Sequence, residues 1–324
     1  MKRREFISLS SGIAVLWPLA VSAQQAVKML RVGAVSAQPR TTSFWQAFEQ
    51  RMGELGYQDG KNFVFDFEYR QDLKTYEATY RTLIERKADI IVATGSEFTL
   101  RQARAVTGTL PIVMVAIDYD PIARGFATSL ARPDGNVTGV FLQQIELTVK
   151  RLQLLKNAFP DLRAITVFWD QLSADQWRAA QDGAKALGLK LAGIEFREQP
   201  YDYDRAFLQA APDYRRFVFV LTSPTFFRDR ARIADFALQS RAGSMFCFRE
   251  WVDAGGLLSY GPSISAMHRR AAEYVDRIAR GAKPADLPIE QPTKFELLIN
   301  LRTGNALGMT IPPDLLVQAE EVIE

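Results

Sequence analysis

Apolar runs with the length of buried strands alternate along the chain with amphipathic segments that have the period of helices. Leu30 to Val35 is apolar except for Arg31, and Ile90 to Ala93 is a continuous apolar run, whereas Phe44, Phe48 and Met52 fall on one helical face. Such alternation is typical of parallel sheets covered by helices on both faces. The pattern therefore predicts an α/β fold. The other predicted strands are 63–67, 112–117, 165–168, 191–196, 217–221, 245–248, 257–260 and 296–300.

The alternation is interrupted near 136–141, where a short extended piece lacks a helix pattern of its own. We interpret it as a crossing between two lobes, the first formed by 24–140 plus 258–290 and the second by 141–257 plus 291–324. Because no low-complexity linker separates the lobes, several crossings should join them as a hinge. Two doubly wound parallel sheets that face each other leave a cleft at the carboxyl ends of their strands.

The first residues have the order of an export signal. Paired arginines precede an apolar run over 7–21, and small residues up to Ala23 offer a cleavage site. The Arg-Arg-x-Phe-Ile pattern at 3–7 is close to a twin-arginine signal. We therefore predict a signal peptide over 1–23, cleavage near Ala23 and a periplasmic protein. No cysteine follows the run, so the protein is not expected to be a lipoprotein.

Charge and rare residues narrow the function. The formal net charge is +3, of which residues 1–5 carry +2, and the remaining basic residues are spread among acids, which argues against nucleic-acid binding. A single cysteine cannot form an intrachain disulfide, and without a second histidine or a cysteine pair the chain offers no zinc site. We predict Cys247 in the core and His268 on a solvated helix face. We expect no catalytic residues, no metal and no cofactor.

Phosphate-binding glycine loops are missing from the sequence. The turn at 94–96, Thr-Gly-Ser, does open a helix, where backbone N–H groups can hold a carboxylate, although an ordinary turn has the same pattern. Further along, Ser173 and Gln176 have the spacing of a capping box for a helix that Gly188 ends.

Several stretches in one order resemble a known family. They are FEQRMGELGYQDGKN at 48–62, DIIVATG at 89–95, SLARPDGNVTG at 129–139, AGGLLSYGP at 254–262, GAKPADLP at 281–288 and ALGMTIPP at 306–313. Together they are similar to bacterial ABC transporter substrate-binding proteins of the tryptophan/tyrosine-binding type. The resemblance implies two lobes of the type I periplasmic-binding-protein kind and no enzyme activity.

The same resemblance implies the partners. A small-molecule solute would be captured in the cleft and presented to an ABC permease in the cytoplasmic membrane, and a monomer suits that docking. Amino acids with aromatic or branched side chains are the first expectation, while small aromatic acids, purine-like compounds and other carboxylates stay open. The alternatives are an exported two-lobed α/β enzyme and a binding module that feeds a sensor.

Polar and aromatic groups that follow predicted strands are the candidates for solute contact, because a cleft binder needs a few placed hydrogen bonds between apolar walls. In the first lobe they are Ser36, Gln38, Ser96, Asp118 and Tyr119, and in the second lobe Trp169, Asp170, Ser223 and Glu250. The carboxylate of an amino acid would favour Ser96, and its ammonium would favour Asp118 or Glu250.

Overall fold

The computed structural model describes residues 29–324. The predicted signal peptide, residues 1–23, lies outside the described residues. Among the helices from residue 29 onward, none has both the length and the apolar character that a membrane crossing requires. The described chain forms two sheets, one of five strands and one of seven.

The apolar runs of the first half build the five-stranded sheet. Its strands are β1 (Leu30–Ser36), β2 (Phe63–Tyr69), β3 (Ile90–Gly95), β4 (Ile112–Ala116) and β5 (Val137–Phe141). All neighbours are parallel, in the order β2-β1-β3-β4-β5. Helices cover both faces, which is why β4 is buried along its whole length and shows no polar alternation. The piece at 136–141 is thus the fifth strand of this sheet.

Three helices connect the strands of the first half: α1 (Ser43–Glu54), α2 (Tyr76–Glu85) and α3 (Glu97–Val106). On α1 the predicted face of Phe44, Phe48 and Met52 is buried, together with Trp45. The helix ends before Gly56, whose φ of +95° is a conformation that glycine adopts without the steric cost of a side chain.

The seven-stranded sheet belongs to the second half. Its strands are β6 (Ala164–Asp170), β7 (Lys190–Phe196), β8 (Phe217–Val220), β9 (Gly243–Phe246), β10 (Leu258–Gly261), β11 (Glu296–Asn300) and β12 (Glu321–Ile323). Their order is β12-β11-β10-β9-β8-β6-β7, and only β10 and β11 are antiparallel among these strands. The antiparallel pair arises because the chain has left this lobe and returned to it before β11.

The excursion to the first lobe is made by the longest helix of the second half. The helices there are α4 (Gln144–Ala158), α5 (Ala174–Ala186), α6 (Tyr203–Phe207), α7 (Pro224–Arg228), α8 (Arg230–Gln239), α9 (Arg249–Asp253), α10 (Ile264–Ala279), α11 (Leu301–Leu307) and α12 (Pro313–Gln318). Helix α10 packs on α1, where Tyr57 donates to Asp276 Oδ1 at 3.0 Å. The predicted range 258–290 is therefore divided, with β10 in the second sheet and α10 on the first.

The start of α5 differs from the sequence prediction. Asp170 accepts hydrogen bonds from the backbone N–H groups of Leu172 and Ser173, each at 3.1 Å, and the Ser173 hydroxyl accepts from the Asp170 N–H at 2.9 Å. The capping box thus forms between Asp170 and Ser173 at the short 3-10 turn that precedes α5, and α5 itself has no side-chain cap, so the box predicted for Ser173 and Gln176 is wrong. Since Gln176 has no cap to complete, its side chain is available for a contact elsewhere.

Candidate ligand-binding site

A cavity lies between the carboxyl edges of the two sheets. The empty space between its lining residues amounts to about 580 Å³, a volume that includes space open to solvent. The first lobe supplies the loops after β1, β3 and β4, and the second lobe supplies the loops after β8 and β9. This is the position at which open α/β sheets bind ligands.

Contacts across the cavity hold the two lobes in a closed arrangement. Gln38 Nε2 of the first lobe donates to the carbonyl oxygen of Pro224 at 3.3 Å. The rings of Phe44 and Phe227 meet edge to face with centroids 6.1 Å apart. A ligand in the cavity would therefore touch both lobes.

A cluster of charges, here called the interlobe clasp, lies on the far side of Asp118 from the cavity. It consists of Glu97, Arg124, Asp175 and Arg178. Arg124 Nε is 2.9 Å from Glu97 Oε2 within the first lobe, and Arg124 Nη2 also contacts Asp175 of the second lobe. Arg178 contacts the same Asp175 carboxylate. The clasp thus joins the lobes by ion pairs in a partly exposed position.

Ser96 stands at the start of α3 and faces the cavity. The preceding Gly95 has a φ of +102°, which favours glycine and turns the chain sharply from β3 into the helix. Ser96 is 1% exposed, does not cap α3, and its hydroxyl has no hydrogen-bond partner within the described chain. A buried hydroxyl without a partner costs free energy, so this group is poised to bond a ligand beside the positive end of the helix dipole.

Asp118 supplies the only carboxyl group in the described cavity wall, which contains no lysine, arginine or histidine. Its Oδ1 accepts from the Glu97 N–H at 3.2 Å, so the carboxyl group is tied to the start of α3 beside Ser96. Burial raises the pKa of Asp118 well above its ordinary value, and the neighbouring Asp170 adds to the rise. A closed, empty cavity therefore disfavours the carboxylate, whereas a cationic ligand group would favour it.

The remaining wall is mostly apolar and aromatic. Phe44, Tyr76, Phe227 and Phe248 line it, with Ile264 from the start of α10. Burial raises the pKa of Tyr76, so its phenol stays neutral. Such a wall suits a flat or branched apolar group, because aromatic rings offer large, rigid contact surfaces.

His268 is fully buried behind this wall, so the prediction of a solvated position is wrong. Its Nδ1 donates to the Ile264 carbonyl oxygen at 2.9 Å, its Nε2 accepts from the Thr94 hydroxyl at 3.1 Å, and its ring centroid lies 4.5 Å from that of Phe44. Burial lowers the pKa of His268 to about 4, which keeps the ring neutral at neutral pH. The histidine holds the wall in place and does not reach the cavity.

The second-lobe side of the cavity rests on four buried residues, here called the polar network: Gln144, Arg151, Gln176 and Thr222. Gln176 holds the backbone of Thr222, donating to its carbonyl oxygen and accepting from its N–H, both at 2.9 Å. Gln144 Nε2 donates to the Thr222 hydroxyl oxygen, and Gln144 Oε1 accepts from Arg151 Nη1 at 2.8 Å. The network thus fixes Thr222 in the cavity wall.

Five of the residues predicted to contact solute lie in the wall: Ser36, Gln38, Ser96, Asp118 and Ser223. The Ser36 hydroxyl accepts from Trp45 Nε1 at 3.1 Å and from the Gln38 N–H at 3.0 Å. The Ser223 hydroxyl accepts from the Phe226 N–H at 3.3 Å and begins α7. Of the five, Ser96 alone has a hydroxyl without a partner inside the described chain.

Two of the predicted aromatic residues pack elsewhere. Tyr119 is 4% exposed and lies in the first-lobe core, with its ring edge to face against Phe126 at 5.7 Å. Trp169 stacks on Trp177, with ring centroids 5.8 Å apart. Tyr119 follows β4 and Trp169 lies near the end of β6, but their large side chains turn into the packing between sheet and helix, and neither reaches the cavity.

The two remaining acids lie near the cavity without lining it. Asp170 caps the turn before α5, and burial raises its pKa, an effect that bonds from Ser223 and Ser173 oppose. Glu250 accepts from the Ser43 hydroxyl across the lobes at 3.3 Å, and burial raises its pKa as well. Their positions leave Asp118 as the acid closest to a bound molecule.

Sequence reasoning missed most of the other side chains of the wall, among them three threonines, Thr94, Thr99 and Thr222, and three phenylalanines, Phe44, Phe227 and Phe248. Thr94 and Thr222 each lie directly after the predicted part of a strand, so the rule that found Ser96 and Ser223 applies to them equally. Phe44 and Phe227 come from the first turns of helices. No pattern in the sequence distinguishes them from core residues.

Comparisons with known proteins agree over nearly the whole described chain. Residues 34–323 match the family model for the ABC transporter substrate binding protein. The chain is 24% identical over 293 residues to a tyrosine-binding protein of Clostridioides difficile (strain R20291), which covers 87% of this chain and 81% of that relative.

Solved structures are similar to the fold. A conserved domain protein from Vibrio cholerae has a TM-score of 0.82 at 22% identity, covering 91% of this chain and 99% of its own. The ABC domain in complex with L-Trp from Streptococcus pneumonia has a TM-score of 0.81 at 21% identity, covering 91% and 100%. The predicted fold, two α/β lobes of the type I periplasmic-binding-protein kind, is confirmed.

Proposed function

Since the chain belongs to the ABC transporter substrate-binding protein family, whose members are not enzymes, we propose that it captures an amino acid with an aromatic or other apolar side chain and delivers it to the permease of an importer. One observation carries the choice of an amino acid. In an otherwise apolar cavity, the free Ser96 hydroxyl at the start of α3 lies beside the Asp118 carboxyl group, and no cationic side chain accompanies them in the described wall.

The solute carboxylate binds at Ser96. The hydroxyl donates one hydrogen bond, and the positive end of the α3 dipole favours negative charge at that point. Because no arginine or lysine lines the described cavity, a solute with a net negative charge would meet Asp118 without compensation. The wall therefore favours a zwitterion over a simple carboxylic acid.

The solute ammonium pairs with Asp118. The two charged groups of an α-amino acid share one carbon atom, so their partners must lie side by side, as Ser96 and Asp118 do through the Glu97 N–H. An ammonium next to the carboxyl group offsets the burial that raises its pKa, so the bound pair is fully ionised.

The solute side chain packs between the aromatic walls. Phe44 and Tyr76 enter from the first lobe, and Phe227 and Phe248 enter from the second. The tyrosine-binding relative and the L-Trp complex of the similar structure favour an aromatic amino acid. Closure of the lobes buries this side chain on both faces, which supplies most of the apolar contribution to affinity.

The place of action follows from the same proposal. The chain is exported, loses residues 1–23 and acts as a periplasmic monomer that docks on a permease in the cytoplasmic membrane. The alternative of a binding module for a sensor uses the same cavity. Loss of amino-acid uptake in a strain that lacks the protein would favour transport, while unchanged uptake with a lost transcriptional response would favour sensing.

The binding experiment uses the exported protein after unfolding, removal of bound ligand and refolding. L-Tryptophan, L-tyrosine, L-phenylalanine and L-leucine are tested by thermal shift and calorimetry, with indole-3-propionate lacking the ammonium and tryptamine lacking the carboxylate. A binder at a hundred times its Kd should add about 2.7 kcal/mol to the free energy of unfolding. At least one amino acid should bind, and both truncated compounds should bind far more weakly than L-tryptophan if that is the solute. No binding by any of the four amino acids would overturn the proposal.

A further inference from the structure

Arg151 on α4 is a buried cation without an acidic partner. It is 1% exposed, its Nε donates to the Tyr260 carbonyl oxygen at 2.6 Å and its Nη1 donates to Gln144 Oε1 at 2.8 Å. Its Nη2 has no hydrogen-bond partner among the described residues. Burial lowers the pKa of Arg151 to about 10, and the group is still charged at neutral pH. A buried charge without an opposite charge beside it lowers folding stability by several kcal/mol, so we expect Arg151 to have a role other than stabilising the fold.

The guanidinium determines how the neighbouring amide is oriented. Arginine has only donors, so the atom of Gln144 that faces Arg151 Nη1 must be the amide oxygen. The amide nitrogen of Gln144 then faces Thr222 and donates to its hydroxyl oxygen. The shapes of an amide nitrogen and an amide oxygen do not distinguish them, but the donor-only chemistry of arginine does.

The orientation of Gln144 in turn fixes the role of the Thr222 hydroxyl. Because its oxygen already accepts from Gln144 Nε2, its own proton must be donated to another group. The neighbours are the Cys247 thiol, a weak acceptor, and the cavity that Thr222 lines. A ligand oxygen in the cavity is a much better acceptor than a thiol sulfur.

From this chain of contacts we propose that Arg151 is a positioning residue that makes the Thr222 hydroxyl a donor to an oxygen atom of the bound solute. The inference rests on the proposed function of the cavity. All members belong to the second lobe, since Gln144 and Arg151 are on α4 and Thr222 follows β8. The donor is therefore set before the solute arrives and needs no rearrangement during closure.

The decisive variant is Gln144→Glu. A carboxylate in this position gives Arg151 the ion pair that it lacks, so thermal stability should be retained or raised. The same carboxylate has only acceptors, so the Thr222 hydroxyl must donate to it and present its lone pairs to the solute. We expect the Kd for the amino acids of the binding screen to rise about tenfold, the loss of one hydrogen bond to a charged group.

Matched variants distinguish the positioning of the Thr222 hydroxyl by Arg151 and Gln144 from a purely structural role of these residues. Gln153→Glu adds the same charge on the exposed face of α4 and should leave the Kd unchanged. Thr222→Val should raise the Kd about tenfold, and Gln144→Glu should add less than about twofold to that loss, because the two changes remove one donor. Arg151→Met, which frees the amide to turn, should behave in the same way.

Two results would overturn the inference. One is a wild-type Kd in Gln144→Glu, and the other is a loss in the double variant equal to the product of the two single losses. If Gln144→Glu does not fold, Arg151→Met with and without Thr222→Val gives the same comparison. A wild-type protein that binds none of the four amino acids would instead overturn the proposed function, and the inference with it.

Discussion

Replacing Asp118 by asparagine tests directly whether a negative charge at this position binds the solute ammonium. The change keeps the shape of the side chain and the acceptor for the Glu97 N–H, but removes the negative charge that is proposed to face the solute ammonium. Removing one partner of a buried ion pair costs about 3–5 kcal/mol, because the other charge is left without compensation. The Kd for the bound amino acid should therefore rise at least about a hundredfold.

The folding stability of the empty protein should change in the opposite direction. Burial raises the pKa of Asp118 in the closed structure, so this group contributes stability that is present below its unfolded pKa of about 3.9 and is lost as the pH rises through the folded pKa. Asparagine has no such ionisation. The Tm of ligand-free Asp118→Asn should equal or exceed that of the wild type at pH 7, and the difference should shrink towards pH 4.

Calorimetry gives the Kd of the wild type and of Asp118→Asn, and thermal unfolding gives the Tm of both proteins. Asp182→Asn is the matched control, because Asp182 carries the same charge on α5 with 78% of its side chain exposed. It should leave the Kd unchanged. A wild-type Kd in Asp118→Asn would refute the assignment of the ammonium site, and a lowered Tm in the absence of ligand would refute the claim that burial penalises the carboxylate.

Three further predictions concern other parts of the molecule. Ser96→Ala should raise the Kd roughly tenfold and leave the Tm of the ligand-free protein unchanged or slightly higher, because the buried hydroxyl has no partner inside the described protein, and an unchanged Kd by calorimetry would contradict its role. Arg124→Gln should raise the Kd by no more than about fivefold, since its partly exposed ion pairs are worth up to about 1 kcal/mol, and should abolish part of the NaCl dependence of the wild-type Kd. Gly139→Ala should lower the free energy of unfolding in urea by more than about 3 kcal/mol, because a Cβ atom would lie 2.1 Å from the Met114 carbonyl oxygen at a φ of +139°, and a loss below 1 kcal/mol would contradict this packing.

The sequence predicts the strands well for a physical reason. Strands of a parallel sheet are buried on both faces and appear as continuous apolar runs, as β3 and β4 do, so their positions need no knowledge of the tertiary structure. The lobe to which a strand belongs does need that knowledge. The run at 257–260 has the pattern of any buried strand, and its place beside β9 follows from pairing between distant residues.

Site residues follow the same division. Small polar residues after strands, such as Ser96 and Ser223, lie in the wall because the backbone alone brings strand ends together. The direction in which a larger side chain points depends on packing with residues that are distant in the sequence, which is why Tyr119 turns into the core. His268 shows the cost of judging a residue by its sequence neighbours, since two arginines follow it, yet it lies on the stripe of α10 that also buries Ile264 and Ala271.

The burial of Asp118 also explains how binding and closure would be linked in the proposed function. The carboxyl group is buried in the closed structure, and opening of the lobes would expose it, so an empty closed cavity would carry a penalty that an open arrangement would avoid. A bound ammonium removes that penalty and is therefore a ligand with different affinity for the two arrangements, which is the condition for shifting their populations. The interlobe clasp, which is partly exposed and weak, cannot supply such a difference alone. The closed fraction of the protein would then depend on the charge of the solute. A permease that recognises both lobes would bind loaded protein in preference to empty protein.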